Sequence, residues 1–220
     1  MGEKTKLYDY WRSSAAYRVR IALNLKGIDY ESVPVALVGR DGGLGEQHSD
    51  AYRAINPQGR VPFYDDGEVS VAQSMAILEY LEETHPGVPL LPAASGARAD
   101  IRSFCNVIAC EIHPLNNLSV MNYLKGDLGI SHEQFLEWYR HWIHNGFRSA
   151  EMFAAEHSAG TFVCGSTATL ADAFLVPQMY NARRFEIPVD EFPTLVRIVD
   201  ACNELEPFAK AIPENQPDAP

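Results

Sequence analysis

Apolar residues at three- and four-residue spacing predict a helix over Ala15–Lys26. Ala15, Ala16, Val19, Ala22 and Leu23 share one face there, and Gly27 supplies the C-terminal stop. Short extended segments surround it. Lys6–Tyr10 and Tyr30–Leu37 read as strands, and Asp50–Ile55 reads as a short helix ended by Asn56-Pro57. Val61–Tyr64 and Val69–Ala72 form a hairpin across Asp65-Asp66-Gly67, and Ser74–His85 is a helix stopped by Pro86. The order β-α-β-α-β-β-α defines an α/β unit over residues 1–87.

The pattern then changes period. Gly87–Gly96 is rich in Pro, Gly and Ala, as a linker would be. Beyond it only helical periodicity recurs, over Ile101–Leu124, Glu133–His157, Thr169–Arg184 and Pro193–Phe208. Thr169 stands three residues before Asp172, a capping-box start for the third of these helices. The chain thus reads as an α/β unit followed by an all-helical unit over 97–220, with a loosely held end at Pro213–Pro220.

Composition narrows the function. A formal charge of −11 over 220 residues argues against nucleic acid and anionic membranes as partners. The apolar runs fall short of the ~20 residues that a membrane helix needs. Met1–Lys6 is too polar for a signal peptide, so a cytoplasmic setting is expected. Cys105, Cys110, Cys164 and Cys202 have no metal-site spacing and read as buried free thiols. His141 and His144 lack a third ligand, so no metal site is expected.

Three segments carry candidate chemistry. Ser13 and Ser14 sit between a strand end and a helix start, where free amides and the helix dipole favour an anion and lower the pKa of a thiolate. Ala15 and Ala16 follow them, so such a thiolate would come from outside the chain. Ser14 as a plain N-cap is the structural alternative. Pro62 opens a strand; with a cis bond before it, the Val61 backbone would be presented to an extended, peptide-like ligand, although trans is the commoner form. Gln73 and Ser74 precede a helix and offer an amide, a hydroxyl and helix-start amides to a carboxylate, or else a simple cap.

The order and spacing of these segments resemble the glutathione transferase superfamily over nearly the whole chain. SSAAYRVRIALNLKG is similar to the zeta-class signature, as are GIDYESVPVAL, INPQGRVP, AQSMAILEYLEETHP and the terminal NQPDAP. The resemblance implies a thioredoxin-like domain that carries glutathione and a helical domain that carries the second substrate, in a homodimer. It implies glutathione-dependent cis–trans isomerisation of a small keto diacid, maleylacetoacetate in preference to maleylpyruvate. Transfer or dehalogenation on small α-halo acids, and glutathione binding without catalysis, are the other activities that this scaffold suggests.

The same resemblance assigns roles. Ser13 and Ser14 line the sulfur site, with Ser14 stabilising the thiolate. Val61, before the family's cis-proline at Pro62, pairs with the cysteinyl part, Gln73 and Ser74 hold the γ-glutamyl carboxylate, and Gln47 lies near the glycyl end. EIHPLNNLSV places His113, Asn117 and Ser119 toward the sulfur or substrate. Arg184 would hold a substrate carboxylate; Arg12 and Arg18, which flank the serines, are second choices by their position alone. Ala15 departs from the pattern, because many zeta-class members carry a cysteine there.

Overall fold

The computed structural model describes residues 4–39, 43 and 45–220. In chain order its elements are β1 (Lys6–Asp9), α1 (Ser14–Lys26), β2 (Glu31–Pro34), α2 (Asp50–Ile55), β3 (Phe63–Asp65), β4 (Ser70–Ala72) and α3 (Ser74–Thr84). There follow α4 (Ser95–Asn106), α5 (Leu118–Gly126), α6 (His132–His157), α7 (Leu170–Arg184), α8 (Pro193–Asn203) and α9 (Glu206–Ala211). The chain divides into two compact units: Met1–Pro89 together with Leu205–Pro220, and Leu90–Glu204.

The first unit is built on a four-stranded sheet of order β2-β1-β3-β4. β1 and β2 run parallel, while β3 is antiparallel to β1 and β4 to β3. The parallel pair needs a crossover, and α1 provides it. This is a thioredoxin-like arrangement. Leu7, Val19, Ala22, Leu23, Tyr64, Ile77, Leu78 and Leu81 form its core. β2 is shorter than its apolar run suggests, since its register ends at the Asp9–Pro34 pair, where β1 stops. Without a partner strand the remainder cannot extend the ladder.

The C-terminal segment departs from the expected boundary. The 97–220 helical unit would have included residues 205–220, yet these pack with the first unit, α9 lying on α1. Pro207 is the cause of the break between α8 and α9. Proline has no N–H and fits only a first turn, so one helix over Pro193–Phe208 becomes two. Nor is the tail loose. Pro213 and Gln216 are buried, and Gln216 Nε2 donates to the carbonyls of Lys210 (2.9 Å) and Ile212 (2.8 Å).

The second unit is helical. α4 starts at Ser95, inside the expected linker, because Ala97, Arg98 and Ala99 are good helix formers despite the surrounding Gly and Pro. The helix expected over Ile101–Leu124 is interrupted. It widens to a π turn at Val107–Ile112, tightens through His113–Leu115 and restarts as α5, with Asn117 as its cap. Pro114 removes a donor at the break. Gly146 of α6 faces Ile112 so closely that any Cβ would collide with that side chain. Phe104, Ile108, Ile143, Phe147, Phe174, Leu195 and Ile198 are fully buried between the helices.

At the start of α7, Thr169 and Asp172 make the expected box. Cys105 and Cys202 are buried as free thiols, whereas Cys110 is exposed and Cys164 half-buried. Burial pushes the Cys164 thiol up to about 11, so it is not a ready nucleophile. No helix of the described residues is long and apolar enough to cross a membrane. Neither do they contain a group of three or more metal-ligating side chains.

Candidate active site

The turn after β1 delivers Ser13 as the N-cap of α1, its hydroxyl accepting from the Ala16 amide at 3.2 Å. Ser14, the cap that the sequence suggested, is instead the first helical residue and only 7% exposed. The cap falls to Ser13, so the Ser14 hydroxyl is not needed to close the helix. Ser14 and Ala15 stand at the helix's positive end, where the first-turn amides point away from the helix. Arg12 lies over the Trp11 ring at 4.9 Å, is half-buried and makes no ion pair among the described residues.

A second helix start lies in the same unit. Gln73 has φ 73°, a left-handed value that costs a non-glycine residue roughly 1–3 kcal/mol and is found mostly where function demands it. Its Nε2 donates to Gln58 Oε1 at 2.7 Å. Ser74 opens α3 and is buried, and Arg18 Nη1 donates to its hydroxyl at 3.3 Å. Arg18 is itself 2% exposed. The structure therefore sets this arginine behind Ser74, where its charge adds to the dipole of α3, and not at an open surface as a substrate contact requires.

The loop leading to Val61 is fixed by two side chains. Tyr52 Oη and Asn56 Nδ2 each donate to the Arg60 carbonyl at 2.7 Å. The Val61-Pro62 bond is cis, and Val61 precedes the paired positions of β3. Gln47 is turned inward: its Nε2 donates to the Leu37 carbonyl at 3.0 Å, and it is 6% exposed. That leaves it little surface for a ligand's glycyl end.

In the second unit, His113 lies half-buried in the turn between the π segment and α5. Asn117 Oδ1 caps α5, accepting from the Ser119 and Val120 amides, and also takes the Ser119 hydroxyl at 2.6 Å. Only Nδ2 of Asn117 remains as a donor for anything else, and Ser119 is tied to this cap. Arg184 is exposed at the C-terminal end of α7, its guanidinium 4.6 Å from the centre of the Phe185 ring. Burial raises the Tyr139 hydroxyl's pKa, and the Arg184 charge opposes that rise.

Sequence reasoning did not single out the Asp9–Arg20 pair. Both side chains are fully buried and 2.8 Å apart, and Arg20 also binds the carbonyls of Trp11 (2.9 Å) and Ala211 (3.1 Å). The available signal was a pair of arginines, Arg18 and Arg20, inside an apolar helix, since buried cations require partners.

Two helix starts with serines at their mouths, on a thioredoxin-like sheet with a fixed loop before a cis proline, define a protein built to hold a peptide-like anion. The family profile described as "Glutathione S-transferase, N-terminal domain" matches residues 7–89. A probable maleylacetoacetate isomerase of Vibrio cholerae serotype O1 is 47% identical over 213 residues, 97% of both chains. The holo structure of a maleyl pyruvate isomerase, a bacterial zeta-class glutathione S-transferase, superposes with a TM-score of 0.93 at 41% identity, covering 98% of this chain and 100% of the other. A maleylacetoacetate isomerase from Methylobacterium extorquens AM1 with bound malonate and GSH gives 0.90 at 42%, covering 98% and 99%. The chain belongs to the glutathione S-transferase family, in its zeta class.

Proposed function

We propose that this protein is a glutathione-dependent cis–trans isomerase of small keto diacids, with maleylacetoacetate as its substrate. The observation that carries the proposal is the start of α1, where Ser14 is buried at the helix's positive end and Ala15 leaves no thiol of the chain's own. Bound glutathione supplies the missing nucleophile, a thiolate that adds reversibly to the conjugated double bond and leaves after the bond has turned.

The chain's residues do the rest. Ser14 and the first amides of α1 stabilise negative charge on sulfur, with Ser13 fixing the helix start. The Val61 backbone holds the cysteinyl part. Ser74 and the start of α3, reinforced by Arg18, hold the γ-glutamyl carboxylate, and Gln73 lies beside them. His113 and the Nδ2 of Asn117 donate to the substrate oxygen on which charge gathers. Arg184 and Arg12 hold the diacid's carboxylates, which the net charge of −11 would otherwise repel. The homodimer, the cytoplasmic setting and a place in tyrosine catabolism belong to this same proposal.

The direct test is an ultraviolet assay with maleylacetoacetate and with maleylpyruvate, each with and without glutathione. Turnover of neither, or turnover independent of glutathione, overturns the proposal. Maleylpyruvate is the second reading, supported by the 0.93 superposition on an enzyme of that name.

Two variants test the assigned roles. Ser14→Ala should lower kcat by about 100-fold, the loss typical of one donor to developing charge, and raise the apparent pKa of the bound thiol. An unmoved titration would assign the thiolate to another group. Arg184→Ala should raise KM for the diacid by roughly tenfold or more, as for a lost charged contact, with the glutathione Kd unaltered. Unchanged kinetics would remove Arg184 from the site.

A further inference from the structure

The turn from β1 into α1 is held from behind at both backbone groups of Tyr10 and of Trp11. The Tyr10 amide donates to Asp9 Oδ1 at 2.6 Å, and the Tyr10 carbonyl accepts from the Ser13 amide at 2.8 Å. Arg20 Nη2 donates to the Trp11 carbonyl at 2.9 Å. The Trp11 amide donates to Asp218 Oδ2 at 2.9 Å, across 207 residues of sequence. Asp218 is the third residue from the C-terminus.

The tail brings this carboxylate to the turn by a series of fixed points. Asn24 Nδ2 donates to the Pro207 carbonyl and Arg20 Nε to that of Ala211, fastening α9 to α1. Asn215 Nδ2 donates to the Ala209 carbonyl, Gln216 caps the carbonyls of Lys210 and Ile212, and the Ala219 amide returns to the Gln216 carbonyl. Asp218 therefore arrives on an anchored segment, and its partner is two residues from Ser13.

We infer that Asp218 is a positioning residue for the sulfur site: by fixing the Trp11 amide it completes the tether that sets Arg12, Ser13 and Ser14 at the open end of α1. The inference rests on the role proposed above for Ser14. Catalytic groups must be held to within about 0.5 Å of the productive geometry, and a turn that has lost one of its tethers is free to wander by more than that. Asp218 Oδ1, although buried, has no hydrogen-bond partner among the described residues. An asparagine can therefore keep one oxygen on the Trp11 amide and place its Nδ2 where the unpartnered oxygen stood, without displacing a bond.

The test compares Asp218→Ala, Asp218→Asn and Ser14→Ala in the full chain. Hydrogen exchange of the peptide spanning the turn is read without ligand, and the apparent pKa of the glutathione thiol is read in the complex by its ultraviolet thiolate absorbance. Asp218→Ala should speed exchange at Trp11 by about tenfold, the scale of one lost charge-assisted hydrogen bond. It should also raise the thiol pKa in the same direction as Ser14→Ala, while Asp218→Asn restores both readouts. A lower melting temperature for Asp218→Ala, with exchange and thiol pKa as in the wild type, would make the tail a packing element only and overturn the inference. A thiol pKa lowered equally by both Asp218 variants would show a plain charge effect and overturn it as well. If Ser14→Ala leaves the thiol pKa unmoved, the role of Ser14 fails, whereas the exchange readout still decides whether Asp218 holds the turn.

Discussion

Asp172→Ala is expected to destabilise the helical unit by about 3–5 kcal/mol, lowering its melting temperature by roughly 10 °C. The side chain is fully buried and, besides the Cys202 thiol at 3.9 Å, serves three donors. Its Oδ1 accepts from the Val163 amide at 2.9 Å, and its Oδ2 from the Thr169 amide at 2.8 Å and the Thr169 hydroxyl at 3.0 Å. Alanine would strand two buried amides, each at a cost of about 1–3 kcal/mol, and open the cap of α7. The loop from Val163 to Thr169 would lose its fastening to that helix.

The penalty should depend on pH with a definite sign. Burial outweighs these hydrogen bonds and pushes the Asp172 carboxyl up to about 6. Because the folded value lies above the unfolded one, this group's titration-linked stabilisation is complete below about pH 4 and is lost as pH rises through about 6. Alanine has no such titration. The difference between wild type and Asp172→Ala should therefore be larger at pH 5 than at pH 7. Thermal unfolding at the two pH values checks this, and a loss below 1 kcal/mol at both would contradict the account of the three donors.

How much of this was written in the sequence depends on whether the cause was local. The start of α7 was legible because Thr169 and Asp172 are three residues apart and act within one turn. The start of α1 was equally local, although the cap lies one residue earlier than the sequence suggested: Ser13 closes the helix and Ser14 is its first residue. The breaks at Pro114 and Pro207 were visible as prolines but were overridden by the apolar periodicity on either side. The destination of α9 was not legible, because amphipathicity specifies that a helix will be buried and not against which neighbour. Arg18 shows the same limit. Its place beside the serines suggested a substrate contact, but α1 turns the side chain inward onto Ser74, 56 residues away.

The strongest effect in the first unit is expected at the other pair that no local pattern revealed. Asp9→Ala should cost about 3–5 kcal/mol, since it leaves the Arg20 guanidinium buried without its counter-ion. Nη1 of Arg20 now binds both carboxylate oxygens, at 2.9 and 2.8 Å, and both side chains are fully buried. Arg20 would keep the carbonyls of Tyr10, Trp11 and Ala211 and the face of the Tyr17 ring, none of which carries a compensating charge. Removing both charges, in the double variant Asp9→Leu with Arg20→Met, should recover part of the lost stability, because well-packed apolar side chains can replace a buried ion pair at little cost. Activity should not return with it. The double variant has no guanidinium to hold the Tyr10 and Trp11 carbonyls and no carboxylate to take the Tyr10 amide, so the turn that delivers Ser13 and Ser14 is loosened even in a stable fold. Melting temperature and kcat measured on both variants separate the two functions of the pair. Recovery of kcat along with the melting temperature would mean that the turn needs only a packed core beneath it, and that Arg20 is there to neutralise Asp9 and not to aim the serines.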